Sequence, residues 1–214
     1  MEFLDKDLIG YVEQHTTAEP ALLSKINRDT HANVMLPRML SGHLQGRVLA
    51  MFSHMIRPER ILEVGTYTGY SALSLAEGLR QGGLLHTIDI NEELEEKVRG
   101  FFNESPFKNS IRYHIGNALE IIPALQEKWD LVFIDADKKN YSNYYDLVIE
   151  QVNAGGFIIA DNVLWSGKVL TTGDKDPDKN TREILEFNKK MHDDPRVENV
   201  LIPIRDGLMV LRKV

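Results

Sequence analysis

The chain reads as an α/β protein with a doubly wound, mostly parallel sheet, helices before it and a terminal antiparallel strand. Three observations carry that reading. From residue 60 onward, short apolar strand patterns alternate with amphipathic helical ones, an order that builds a parallel sheet covered on both faces. The first strand pattern runs through a turn containing Gly65 and Gly69 directly into a helical pattern, which makes a ligand-binding edge. The last two strand patterns, 197–203 and 207–212, are joined by the short Ile-Arg-Asp-Gly turn and predict a hairpin.

Taken in order, three helical segments come first. One covers about 4–15, a second starts with Pro20 in its first turn, and a third follows Ser41 through 56. Met35, Met39, Met51 and Met55 read as core on the third helix and its approach. After Pro58, strands are expected at 60–64, 84–90, 111–115, 131–135 and 157–160, with helices at 71–80, 92–103, 118–126 and 144–152 between them. Right-handed crossovers favour a 3-2-1-4-5 strand order, in which the first and fourth strands are neighbours where the winding reverses. Ligands bind at the carboxyl ends of strands at that point, so the chemistry is expected after Val64, Ile134 and Ala160. The chain divides into a helical cap, 1–57, and an α/β core, 58–214, of one domain.

Composition narrows the function. A chain of 214 residues with 43% hydrophobic content suits one soluble globular domain. A formal net charge of −7 argues against a broad nucleic-acid footprint. There is no cysteine, which excludes disulfides, thiolate zinc sites and cysteine nucleophiles. The N-terminal stretch MEFLDKDLIGYVEQH is acidic and amphipathic, unlike a signal peptide, and no run approaches the roughly 18 apolar residues of a membrane span. A cytoplasmic protein with no membrane partner is expected.

The spacing at the first turn is G-x-x-x-G, because Tyr67 stands where a dinucleotide fingerprint has its middle glycine. Glu63, at the strand end, would repel a phosphate and suit a ligand with an ammonium group. S-adenosylmethionine has an ammonium, a ribose and an adenine, and no phosphate. Asp89 ends the second strand and could take both ribose hydroxyls. Gly116, Asn117 and Ala118, after the third strand, could lie over an adenine edge. Beyond the fourth and fifth strands, Asp135 and Asp161 would stand side by side, about 4.8 Å being the usual strand spacing. With the Asn162 amide oxygen they form an all-oxygen set that favours Mg²⁺, or else Mn²⁺ or Ca²⁺, over zinc. Lys138, three residues past Asp135, could point into the site and act as a base. The histidines show no metal-ligand spacing and are given no role.

These residues identify a family. EVGTYTGYS (63–71), TIDIN (87–91), FIDADKKNY (133–141), DNVLWSG (161–167) and the terminal DGLMVLRK together resemble the cation-dependent S-adenosylmethionine O-methyltransferases of the caffeoyl-CoA type, and more distantly catechol O-methyltransferases. The resemblance covers 20–214 and implies a Rossmann-like methyltransferase fold. It implies that Asp135, Asp161 and Asn162 hold the metal, with Asp135 also near the reacting groups and Lys138 as the base. It places Glu63, Gly65, Thr66, Ser71, Asp89, Asn117, Ala118, Asp135 and Asp137 at the cofactor. The segment from Pro37 to Gly42 resembles the family stretch that closes over the cofactor, which brings in Met39 and Leu40. Leu40 stands where the family usually has Thr, leaving only its backbone for that role. Trp165 and Ser166 match positions near the acceptor.

The segment 168–182 does not reproduce the aromatic and basic insertion of the plant enzymes, and the first 20 residues show no clear match. A caffeoyl-CoA preference is therefore not carried over, and a small catechol-like acceptor, a vicinal dihydroxy aromatic, is favoured. A homodimer is implied by the family. Two other readings are a nicotinamide-dependent oxidoreductase, disfavoured by Tyr67, and a non-catalytic S-adenosylmethionine-binding protein. The latter would not need the Asp135, Lys138, Asp161 and Asn162 set.

Overall fold

A computed structural model describes residues 5–170 and 176–214. Leu4, where the first helix was expected to begin, and residues 171–175 of the divergent 168–182 segment lie outside the described residues. The strands are β1 (Arg60–Val64), β2 (Leu84–Asp89), β3 (Ile111–Ile115), β4 (Trp129–Ile134), β5 (Val152–Asp161), β6 (Val197–Ile202) and β7 (Leu208–Lys213). They form one sheet in the order β3-β2-β1-β4-β5-β7-β6. The five-strand parallel core has the expected order, and β7 pairs antiparallel with both β5 and β6. The hairpin thus inserts its second strand, not its first, against the core.

The helices are α1 (Lys6–Gln14), α2 (Ala21–Asn33), α3 (Gly42–Ile56), α4 (Tyr70–Ala76), α5 (Glu95–Glu104), α6 (Ala118–Leu125), α7 (Tyr141–Val148) and α8 (Lys179–Asp193). Alternate strand residues feed two cores. On one face Leu62, Ile134 and Ile158 pack with α6, α7 and α8; on the other Ile61, Phe133 and Ile159 pack with α2 to α5. Each fully buried large side chain, such as Trp129 or Phe187, contributes roughly 1.5–3 kcal/mol by leaving water. Among the described residues no helix is long and apolar enough to cross a membrane.

Several boundaries differ from expectation for identifiable reasons. Pro20 is the cap residue just before α2, not part of its first turn. α4 stops at Ala76, short of 80: Gly78 passes so close to α3 that a Cβ there would lie 2.1 Å from the Ser53 carbonyl carbon. β5 starts five residues early, because Val152 already pairs with Trp129; Gly155, at φ +77°, and Gly156 then lie in an irregularity of β5 between that pair and the pairing of Phe157 with Leu131. α7 begins at Tyr141 and ends at Val148, freeing Val152 for the sheet. α8 was not anticipated, although its signal is present. Asp178 caps it by accepting from the Thr181 N–H, and Thr181, Ile184, Phe187 and Met191 form a buried stripe. The methionines correct the sequence reading most sharply. Met35, Met39, Met51 and Met55 are 83%, 54%, 60% and 74% exposed and are not core. The buried face of α3 is made instead by Gln45, Gly46, Leu49, Ala50 and Ser53.

The turn after β1 fixes the switch point. Gly65 has φ +104°, and a Cβ on it would sit 1.9 Å from the Asp135 carbonyl oxygen, while one on Gly69 would meet the Phe102 ring at 2.7 Å. These glycines are therefore required by the protein's own packing, before any cofactor is considered. Gly82 has a similar φ, +80°, but open space around it. Gly65→Ala is expected to cost ~3 kcal/mol or more and Gly82→Ala only about 1 kcal/mol, read by denaturant unfolding. Equal losses would mean that backbone strain, not the Asp135 contact, dictates the glycine.

Candidate active site

The carboxyl ends of β1, β2, β4 and β5 bring the predicted residues to one edge. Pairing of Ile134 with Ala160 sets Asp135 and Asp161 next to each other, and the Asp135 N–H donates to the Val64 carbonyl at 2.8 Å. Glu63 ends up completely buried on β1. Its Oε2 accepts from the Thr87 hydroxyl at 2.5 Å, and that hydroxyl also meets Thr66 at 2.5 Å. Its Oε1 has no partner. Burial pushes the Glu63 carboxyl up to about 8; the Ser71 and Thr87 hydroxyls oppose this, and the nearby charges of Asp135 and Asp89 add to it. Ser71 is itself buried in the first turn of α4.

Asp89 organises the second strand's end. One oxygen accepts from the Tyr67 N–H at 2.6 Å and the other from the Asn91 N–H at 2.9 Å. A carboxylate has about four acceptor positions, so about two remain. Asn117 caps α6 by accepting from the Leu119 N–H at 3.1 Å, and Ala118 is buried behind it. Asp137 is taken up within its own loop, accepting from the Tyr144 hydroxyl at 2.5 Å and the Asn140 amide at 2.7 Å.

Asp161 is buried and held from two sides. Oδ2 accepts from the Gln45 side-chain amide of α3 and Oδ1 from the Asn162 N–H, both at 2.6 Å. Burial, with the negative charge of Asp135, pushes Asp161 up to about 7, although Lys138, Gln45 and the Asn162 N–H oppose the rise. Lys138 points inward. Its Nζ donates to Asn162 Oδ1 at 2.8 Å, to Asp135 Oδ1 at 3.3 Å and to the Tyr141 hydroxyl. Among the described residues no group of three or more His, Cys, Asp or Glu converges on a metal position; the oxygen set here is two carboxylates and one amide. Asn162, Trp165 and Ser166 all have left-handed φ, from +48° to +59°. This kinked loop carries Trp165, whose indole N–H is buried without a partner.

A strap lies over the turn. Met39, Leu40 and Ser41 line one small cavity with Gly65, Thr66, Tyr67, Ser71 and Asp135. The Tyr67 hydroxyl donates to the carbonyls of Met35 and Leu36 at 3.1 and 3.3 Å, and Arg205 donates to the Leu40 carbonyl at 2.8 Å.

The sequence matches the O-methyltransferase family over residues 13–214. This chain belongs to that family. Caffeoyl-CoA O-methyltransferase 5 of Nicotiana tabacum is 34% identical over 180 residues, covering 79% of this chain and 75% of its own length. The caffeoyl-CoA O-methyltransferase of Mesembryanthemum crystallinum is 34% identical over 206 residues, 92% of this chain and 81% of its own. Among solved structures, the O-methyltransferase from Bacillus cereus in complex with SAH matches at a TM-score of 0.88 and 26% identity over 97% of each chain. TomG from Streptomyces achromogenes, in complex with SAM and involved in tomaymycin synthesis, matches at 0.88 and 25% identity, covering 97% of this chain and 96% of that one.

In this O-methyltransferase, sequence reasoning missed Gln45 and assigned no contact to Tyr141, the last residue of the 133–141 motif, or to the hairpin turn. Arg205 comes from a turn read as a strand connection, and Asp206 was read there and as the start of the terminal motif, with no site contact assigned to either. Yet Arg205 holds the strap, and Asp206 accepts from the Ser166 N–H at 2.5 Å and from the Leu164 N–H through its carbonyl. No local pattern marks these partners, which lie 40 or more residues away along the chain.

Glu63 provides a pH signature. Its carboxyl titrates near 4.5 when unfolded and about 8 when folded, so the stability it allows at low pH is lost as pH rises through that window. Glu63→Gln does not titrate. Its melting temperature relative to the parent, measured without cofactor, should differ little at pH 4.5 and gain progressively up to pH 8. A gain independent of pH would show that Glu63 is ionised throughout.

Proposed function

We propose that this O-methyltransferase transfers the methyl group of S-adenosylmethionine to one hydroxyl of a small catechol-like acceptor, with a divalent cation, Mg²⁺ before Mn²⁺ or Ca²⁺, as its partner. The observation that carries the reading is the convergence, at one sheet edge, of a buried acid with an unpaired oxygen and an all-oxygen set beside a lysine. The unpaired Glu63 Oε1 suits a cationic group, as the amino-acid end of S-adenosylmethionine would supply. Asp89 retains acceptor capacity for ribose hydroxyls. Gly65, Thr66, Ser71, Asn117, Ala118 and Asp137, with Met39 and Leu40 of the strap, complete the proposed cofactor surface. The SAM and SAH complexes of the two solved relatives support the same cofactor.

The donor chemistry of Asp135, Asp161 and Asn162 fits a hard cation: two carboxylates pressed together at a buried edge favour a positive charge between them. When bound, a divalent cation supplies Lewis acidity that favours the ionised acceptor oxygen. The residues do the rest. Lys138 Nζ accepts the acceptor hydroxyl's proton once its own is released, and Trp165 and Ser166 flank the ring. The acceptor oxygen then forms a bond to the methyl carbon as the carbon–sulfur bond breaks, leaving a neutral thioether. Charge is neutralised in that displacement, so catalysis rests mainly on alignment and exclusion of water. Residues 1–57 serve as a cap on the 58–214 core of one methyltransferase domain.

Turnover of catechols with labelled cofactor should be abolished by EDTA and restored by Mg²⁺ or Mn²⁺. Lys138→Ala should lower kcat by roughly 10²–10⁴-fold, partly recovered at high pH, while Lys139→Ala changes little. Full activity after exhaustive chelation removes the cation from this reading, and equal effects of the two lysines remove the base. NAD binding tighter than S-adenosylhomocysteine would favour the oxidoreductase instead.

We also infer a homodimer. The exposed Met51 and Met55 lie one turn apart on α3, and Leu8 and Tyr11 of α1 are exposed as well. Such thioether and aromatic surface suits burial against a second copy. Light scattering at micromolar concentration should give twice the chain mass; a monomer mass removes the proposal.

A further inference from the structure

We propose that Lys138 is a built-in counter-cation, whose ammonium occupies the seat between Asp135 and Asn162 until a divalent cation displaces it. The proposal rests on the divalent-cation reading above and adds a resident competitor for that site. An ammonium has three N–H groups. Those of Lys138 go to Asn162 Oδ1, Asp135 Oδ1 and the Tyr141 hydroxyl, so its donor capacity is fully used. Two of these acceptors are oxygens proposed to hold the cation. The seat itself is constructed. The Lys138 side chain is 10% exposed, and its Nζ lies 4.5 Å from the centre of the Tyr141 ring. Tyr141 is completely buried, and its hydroxyl donates to the Asp161 carbonyl at 3.0 Å.

The third oxygen ligand is treated differently. Asp161 is fixed by Gln45 and by the Asn162 N–H, neither of which carries a charge to exchange. Asp161 thus stays set, while Asp135 and Asn162 pass from one positive group to another. Without either, two neighbouring carboxylates at a buried edge would lack a counter-charge, which destabilises the fold locally. Lys138 sits on the short turn Lys138–Asn140 between β4 and α7, and its four-carbon stem lets the ammonium swing without moving the backbone. Lys139 has no such place: its side chain is 62% exposed and 3.9 Å from Asp137.

A counter-cation makes two opposite demands on one variant. Lys138→Met should bind Mn²⁺ about tenfold more tightly or better, because a like charge has left the site, yet its metal-free form should melt several degrees lower. Mn²⁺ affinity is read from the free-ion electron paramagnetic resonance signal, and melting is followed after EDTA treatment and buffer exchange. Lys138→Arg keeps the charge and should melt near the parent while binding Mn²⁺ several-fold more weakly, and Lys139→Met should match the parent in both. S-adenosylhomocysteine binding confirms that each variant is folded. If Lys138→Met does not fold, Lys138→Arg decides: its larger guanidinium should weaken Mn²⁺ several-fold, and parental affinity overturns the proposal. Unchanged Mn²⁺ affinity or unchanged metal-free melting in a folded Lys138→Met also overturns it, leaving the cation reading intact. Failure of both parent and Lys138→Met to bind Mn²⁺ overturns the cation reading and this proposal with it.

Discussion

The carbonyl of Asp135 occupies the space where a side chain on Gly65 would be, and the site is organised around that approach. β1 and β4 can converge at their carboxyl ends only because one of them has no Cβ there. Their convergence places Asp135 within electrostatic reach of both Glu63 and Asp161. A sheet that reverses its winding at this point opens a crevice, and this chain fills its rim with acids.

The acids are managed individually. Glu63 is neutralised by burial and by neighbouring charge, and its one hydrogen-bonded oxygen leads through Thr87 to Thr66. Asp89 is held by two backbone N–H groups, and Asp161 by an amide from α3. Asp135 alone among them forms a direct ion pair, with Lys138. The division matters for function. Groups fixed by neutral donors keep their geometry when a charged ligand arrives, whereas a group fixed by an ammonium can change partners.

The periphery supports this edge from far along the sequence. The terminal hairpin holds the strap through Arg205 and the kinked loop through Asp206, while Tyr67 bonds the strap at its other end and Asp89 beneath it. The strap, Asp89 and the kinked loop are therefore mechanically connected through two turns. The strained φ values at Asn162, Trp165 and Ser166 persist because those turns hold the loop.

The sequence by itself determined the parallel core, its strand order and the family, because strand and helix periodicities and the motifs around Gly65, Asp135 and Asp161 are local signals. It did not determine where β5 begins, because Gly155 and Gly156 keep their turn chemistry inside an irregularity that the strand passes through, with Val152 paired before it and Phe157 after it. It misjudged the methionines, because an apolar side chain on a helix is the same signal whether or not a neighbour covers it. The tertiary structure alone decided that Gln45 meets Asp161, that Arg205 meets Leu40, and that Lys138 rests between Asp135 and Asn162. The first two contacts span more than a hundred residues, and the third depends on a strand pairing that no local pattern encodes. Residue types are written along the chain, but the partners of a buried charge are chosen only when the strands carrying them are brought side by side.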